Sequence, residues 1–236
     1  MTIVEKTSRA GRPRAVPDTA PQLPPREQIL LAAAALFVEQ GFGSTSTRAI
    51  ADAVGIRQAS LYYHFAGKDD ILAELLDRSV RPSAELARHL EHQAGTDPAA
   101  AATALYALAA TDAELLARAP HNIGSLYLIP EVRDERFDDF RTLRHELQEI
   151  YGQLGDRAGQ LVAGANAVPP TVLGALLIQV VEVVIPLRRW GGTSAEAEAE
   201  ATVEIEPAVV AEATLRTAGL GPAEIRAAAA GAAGLG

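Results

Sequence analysis

The chain has no cysteine, one tryptophan and one methionine, and aromatics make up only 5% of its 236 residues. The first absence excludes disulfides, zinc–thiolate centres and thiol redox sensing, and it is compatible with a reducing cytoplasm. There is no basic-then-apolar leader at the N-terminus, and prolines interrupt the first 25 residues. Nor is there an unbroken apolar run of the ~18 to 20 residues a membrane span needs. The longest candidate, Thr171 to Leu187, carries Gln179, Glu182 and Pro186, so it reads as a buried helix. No G-x-S-x-G, phosphate-loop or His-cluster pattern occurs, which argues against an enzyme. His89 and His92 lie three apart on a helical pattern without a visible third ligand, so neither a metal nor a cofactor is expected.

What is present is 48% hydrophobic residues, enough for adequate cores. Net charge is −9, yet it is unevenly spread. Up to Arg78 nine basic residues balance nine acidic ones, and the first 26 residues alone hold five basic against two acidic. A basic end on an acidic body fits an anionic partner at that end only.

Along the chain, residues 1–24 lack periodicity and are rich in Pro, Gly and Arg, the pattern of a disordered basic arm; Ala10 to Arg14, "AGRPR", is a weak match to a minor-groove arginine arm. From Pro25 the period becomes helical. A first helix is expected near 25–40, a second capped by Thr45, Ser46 or Thr47 and running to about Val54, and a third from about Arg57 to His64. The fourth opens at Lys68 or Asp69 and should kink or break at Pro82. Further helices are expected at 98–118, from Glu131 to about Gly164, from Pro169 or Pro170 to Trp190, and at 207–218. The stretch from Glu196 to Glu206 reads as a solvated helix or loop, and residues 223–236 as a flexible tail. No strand signal emerges, so the fold class is all-α.

The segment "STRAIADAVGIRQASLYYHF", Ser46 to Phe65, places two short helices around Gly55, with Ile50, Val54, Ile56 and Leu61 as a minimal core and small Ala51 at their crossing. This is a helix-turn-helix pattern whose second helix can enter a major groove. Gln58 can bond an adenine bidentately and Ser60 can donate or accept. Thr47, Tyr62, Tyr63 and His64 suit phosphates or thymine methyls, and Lys68 can pair a phosphate. Phe65 reads as core.

The run "LFVEQGFGSTSTRAIADAVGIRQASLYYHFAGKDDIL", Leu36 to Leu72, resembles the DNA-binding domain of the TetR family of bacterial transcriptional regulators. The likeness rests on the "LF…GF", "TST…IA", "VG" and "LYYHF" features and on the "KDDIL" that starts the fourth helix. It implies a homodimer on a near-palindromic double-stranded DNA operator, usually a repressor released by a small-molecule effector. It also implies a three-helix DNA-binding domain at 25–70 and a helical effector-binding and dimerisation domain at 71–222. DNA contact carries over to Thr47, Arg48, Gln58, Ser60, Tyr62, Tyr63, His64 and Lys68. Arg57 is a departure, standing where the family often has a capping Ser or Thr; losing that cap costs ~1 kcal/mol, and arginine there can reach guanine or phosphate. The dimer is expected through the helices near 169–190 and 207–218. Effector contacts are expected from Tyr106, His121, Tyr127, Gln179, Glu182 and Trp190, polar groups among apolar helices, around a mostly hydrophobic pocket for a lipophilic or amphiphilic molecule. The rival reading is a helical ligand-binding or adaptor protein that no longer touches DNA.

Overall fold

The computed structural model describes residues 23–162, 168–190 and 206–234, excluding the side chains of residues 189 and 190. Arginine arm residues 1–22, the Glu196-to-Glu206 stretch apart from Glu206, and the Trp190 side chain therefore lie outside the described residues. All regular structure among the described residues is helical, as the periodicity indicates. The elements are α1 (Pro25–Gln40), α2 (Thr47–Val54), α3 (Gln58–His64), α4 (Lys68–Ala94), α5 (Pro98–Arg118), α6 (Asp138–Gly159), α7 (Pro170–Glu182), α8 (Val184–Trp190), α9 (Pro207–Thr217) and α10 (Pro222–Ala232). Three short 3₁₀ turns, Ile123–Leu126, Pro130–Arg133 and Glu135–Phe137, join α5 to α6.

Local chemistry sets the first three helices. Pro25 occupies the first turn of α1, where its missing N–H is no loss. Ser46 caps α2 by accepting from the Ala49 amide at 3.1 Å. Gly55 ends α2 at φ 76°, ψ 29°, a left-handed conformation that a side chain would strain, and this turn aims α3 across α2. Ile29, Phe37, Ile50, Leu61 and Phe65 close the small core between them. Arg57 stands at the cap of α3 without a side-chain capping bond, as its substitution for Ser or Thr predicts.

Helix α4 links this unit to the rest of the molecule and runs past Pro82 as one helix, against the expected break. Proline deletes one ladder bond, but α4 holds Val80, Ser83, Ala84 and Ala87 in the core on either side, and that burial outweighs the lost bond. At 27 residues it is about 40 Å long. The expected boundary at 70/71 therefore falls inside a continuous helix.

Helix α5 lies at the centre, packed by α4, α6, α7, α8, α9 and α10. Both α5 and the segment Pro170–Arg188 are long and apolar enough to cross a membrane by length and composition, but half of the α5 window is buried by its neighbours and the second segment is interrupted at Val183. That interruption corrects the expected single helix to Trp190. Pro186 removes the N–H that would bond the Glu182 carbonyl and its ring crowds that carbonyl, so the helix resets at Val183. Helices α6 and α7 approach closely enough that a Cβ on Gly152 would strike the Pro170 carbonyl and one on Gly174 the Gln148 carbonyl. The expected helix from Glu131 instead begins at Asp138, because Pro130 and the Asp134 side chain, which accepts from the Arg136 amide at 3.1 Å, shape turns up to Phe137.

The flexible tail expected at 223–236 is also corrected. Pro222 starts α10, Ile225 and Ala228 are buried, and a Cβ on Gly231 would meet Thr103 of α5. A run of alanines is the best helix former and offers the flat surface that lets one helix lie close on another.

Candidate nucleic-acid interface and effector region

The polar face of α3 is open. Tyr63 is 87% exposed and Tyr62 50%, while Leu61, between Ser60 and Tyr62, is fully buried. The helix is thus anchored by Leu61 and Phe65 and presents the rest. Gln58 Nε2 donates to Thr47 Oγ1 at 2.9 Å and lies 3.4 Å from the Tyr62 hydroxyl, which is itself 3.2 Å from Thr47 Oγ1. Three of the expected DNA-contacting side chains, drawn from α2 and α3, thereby form one exposed cluster. Tyr63 packs edge-on against His64. Ser60 and Arg57 are exposed beside them, and Arg48 projects from α2, only loosely paired to Asp52 at 3.8 Å.

Lys68 sits differently from the expectation of a phosphate-pairing side chain. Its Nζ donates to the carbonyls of Phe42 at 2.8 Å, Thr45 at 3.1 Å and Gly43 at 3.4 Å, and lies 4.3 Å from the Phe42 ring centre. All three ammonium donors are engaged. The residue clamps the loop between α1 and α2 onto the start of α4, and a phosphate contact requires it to release one carbonyl.

The body behind α4 holds a polar interior. Asp112, on α5, accepts from Ser83 of α4 at 2.7 Å and from Tyr151 of α6 at 3.0 Å, all three buried. Burial pushes the Asp112 carboxyl up to about 6, against the lowering effect of the two hydroxyl donors. Burial likewise pushes the Tyr127 and Tyr151 phenols up. Beside this group Arg144 Nη2 lies 2.6 Å from both Glu182 oxygens, and Gln179 donates to the same carboxylate at 2.9 Å. Tyr127 donates to Ser79 of α4 at 3.0 Å. Ser79, Ser83, Asp112, Tyr127, Arg144 and Glu182 line a cavity of about 10 Å³, room for a single water molecule. On its outer side, past Tyr127 and Arg144, a groove of about 520 Å³ opens between α6 and the turns at 126–133.

Of the expected effector contacts, Tyr127 and Glu182 line the small cavity, Tyr127 also lines the groove, and Gln179 is exposed but bonded to Glu182. Tyr106 and His121 line neither. Tyr106 points toward α9, where burial and the nearby Glu212 raise its phenol. Tyr106 lies on α5 and His121 in the chain just after it. Sequence reasoning missed Asp112, Tyr151 and Arg144. Asp112 shares the buried stripe of Leu105, Leu108, Ala109 and Leu116, and Tyr151 shares that of Leu147 and Leu154, so a polar group at a core position was the available signal.

An all-helical chain whose short third helix offers an anchored, solvent-facing polar surface after a left-handed glycine turn is a helix-turn-helix protein. The family model for bacterial regulatory proteins of the tetR family matches residues 29–75. AmtR of Mycobacterium smegmatis is 40% identical, with a TM-score of 0.77 over 92% of this chain and 96% of that one. The chain belongs to the TetR family of transcriptional regulators. Other likenesses are narrower. The transcriptional repressor KstR2 of Mycobacterium tuberculosis is 49% identical over 51 residues, 22% of this chain and 26% of that repressor. The regulator AcrR of Shigella flexneri is 41% identical over 69 residues, 31% of its length. The matches thus span under a third of these two curated relatives. The solved structure of KstR2 of Mycobacterium tuberculosis shares the fold at a TM-score of 0.60 and 20% identity.

Proposed function

We propose that this chain is a homodimeric, cytoplasmic, non-enzymatic repressor that grips a near-palindromic operator with α3 and lets go when a small molecule binds in the helical body. The observation that carries the reading is the exposed cluster of Thr47, Gln58 and Tyr62 flanked by Tyr63, donors and acceptors held ready on a short helix that Leu61 and Phe65 anchor. In this reading residues 25–70 read DNA, with Gln58 and Ser60 at base edges and Thr47, Arg48, Arg57, Tyr62, Tyr63 and His64 at phosphates or thymine methyls. Lys68 acts through the loop it clamps. The reading favours DNA binding over a silent adaptor, because a face kept polar, aromatic and unburied has no packing role.

Support for the dimer comes from α7 and α9. Val172, Leu176 and Val183, spaced at four and seven residues, are 40% to 49% exposed on one face of α7 and its continuation, and Val209 of α9 is 58% exposed. Such a stripe on the outside of a helix fits a helix of a second copy. Pairing there sets the separation of the two α3 helices, which has to match successive major grooves about 34 Å apart.

The test is a band-shift titration on duplex DNA from upstream of the gene. Specific retention that weakens steeply with salt is expected, since phosphate contacts release counterions. Failure to retain any duplex, with the protein folded and dimeric by light scattering, would leave the adaptor reading standing instead.

A further inference from the structure

The groove between α6 and the turns at 126–133 has a two-sided chemistry. Its floor is apolar, made by Tyr127, Ile129, Val132 and Phe140, with Leu128 77% exposed at its edge. Its polar lining is Arg133, Arg141, Arg144, His145 and Gln148, and no carboxylate is among the lining residues. In a chain of net charge −9 such a lining is rich in basic groups, three of them paired to Asp138, Glu149 and Glu182 outside it. The volume, about 520 Å³, lies within the roughly 300–1,000 Å³ of small-molecule sites.

The basic side chains are not equally committed. Arg141 is held by the Val132 and Asp134 carbonyls and by Asp138, and His145 lies 3.4 Å from Glu149. Arg133 has neither a hydrogen bond nor an ion pair among the described residues, and Arg144 engages Glu182 through Nη2 alone. The Nε–H of Arg144 is buried and has no acceptor. A buried donor without a protein partner is costly, and either a water in the adjoining small cavity or an incoming acceptor satisfies it.

We infer that this groove is the effector site of the protein and takes an organic monoanion with an apolar body, its acidic head between Arg133 and Arg144 and its body along Val132 and Phe140. This rests on the regulator reading above and names the class of effector for it. The route from the groove to DNA is short. Tyr127 forms its inner wall and donates to Ser79 of α4, and Arg136, just beyond the 130–133 turn, pairs with Asp69 at the start of α4 at 3.1 Å. An occupant that shifts Tyr127 or the turn acts on the helix that carries Lys68 and the loop it clamps. Only its differential affinity for the two positions of α4 moves the equilibrium.

Isothermal titration calorimetry of the full chain with sodium octanoate, octan-1-ol and octyltrimethylammonium separates head charge from apolar body. Octanoate is expected to bind once per chain, at least tenfold tighter than octan-1-ol, with no detectable binding of the cation. Arg133→Glu, an exposed change whose folding circular dichroism checks, is expected to weaken octanoate at least tenfold and to leave octan-1-ol within twofold. Equal binding of acid and alcohol, octanoate affinity unmoved by R133E, or no binding of octanoate at all overturns the site. A parallel band shift keeps the two readings apart: octanoate binding without DNA retention sinks the regulator and spares the groove, and the reverse result does the opposite.

Discussion

The α1–α3 unit and the helical body handle polar residues in opposite ways. On α3 the side chains proposed to contact DNA face solvent, on a helix held by one buried leucine and one buried phenylalanine. In the body the polar residues face inward: Ser83, Asp112 and Tyr151 meet from three helices, and Arg144 and Glu182 from two, with side-chain exposures of only 18% and 12% for that pair. A surface that must read DNA exposes its donors and tolerates substitution in stability terms. A buried interior stores its donors in a network where each loss leaves another group unsatisfied. Changes in the first region are therefore expected to alter binding, and changes in the second to alter folding.

The sharpest test of that contrast is Gly152→Ala. Its methyl would overlap the Pro170 carbonyl where α6 and α7 cross, so backbones must separate, and thermal unfolding is expected to show a loss of about 4 kcal/mol. Next is Asp112→Asn. The folded carboxyl titrates at about 6 against 3.8 for the ordinary group, so the folded chain holds its proton longer than the unfolded one. Stability from this group is highest below pH 4 and is lost as pH rises through 6, by up to about 3 kcal/mol. Urea denaturation is expected to show the native protein losing ground to D112N between pH 4 and 7.5, and parallel curves would mean Asp112 is ionised throughout. Glu27 and Glu146, held low by Arg78 and Arg88, act in the opposite direction at more acid pH and cancel in the comparison.

Smaller effects come from the DNA-reading unit. Gln58→Ala is expected to shift operator preference at one base pair by ~1–3 kcal/mol in competition band shifts, with the melting temperature unmoved. Lys68→Met is the case that crosses the comparison. Because its ammonium bonds three loop carbonyls, it is expected to lower stability by ~1–2 kcal/mol as well as weaken every operator alike. A purely DNA-binding defect would place its ammonium on phosphate instead. Ser46→Ala removes the α2 cap and is expected to cost ~1 kcal/mol in chemical denaturation.

Helices set by local signals were legible in the sequence. Pro25, Ser46, Gly55 and Pro98 mark their ends within a residue or two, because capping and proline geometry act over four residues. Where a local signal competed with packing, reading failed in both directions. Pro82 did not break α4, which is buried on both sides of it, while Pro186 did interrupt the helix begun at Pro170. The alanine-rich end became α10 because α5 offered a surface to lie on. Glu182 stood out as a carboxylate among valines, but its partner Arg144 lies 38 residues away on α6, and no periodicity connects the two.

By itself the order of residues determined an all-helical chain and the exposed polar face of α3, since both follow from interactions within a few residues along the backbone. The tertiary structure alone decided that Lys68 turns inward to a loop, that Asp112 keeps its proton to about pH 6, and that Arg133, Arg141 and Arg144 line one groove. Burial and long-range pairing set those three outcomes, and both depend on which distant helices the fold brings into contact.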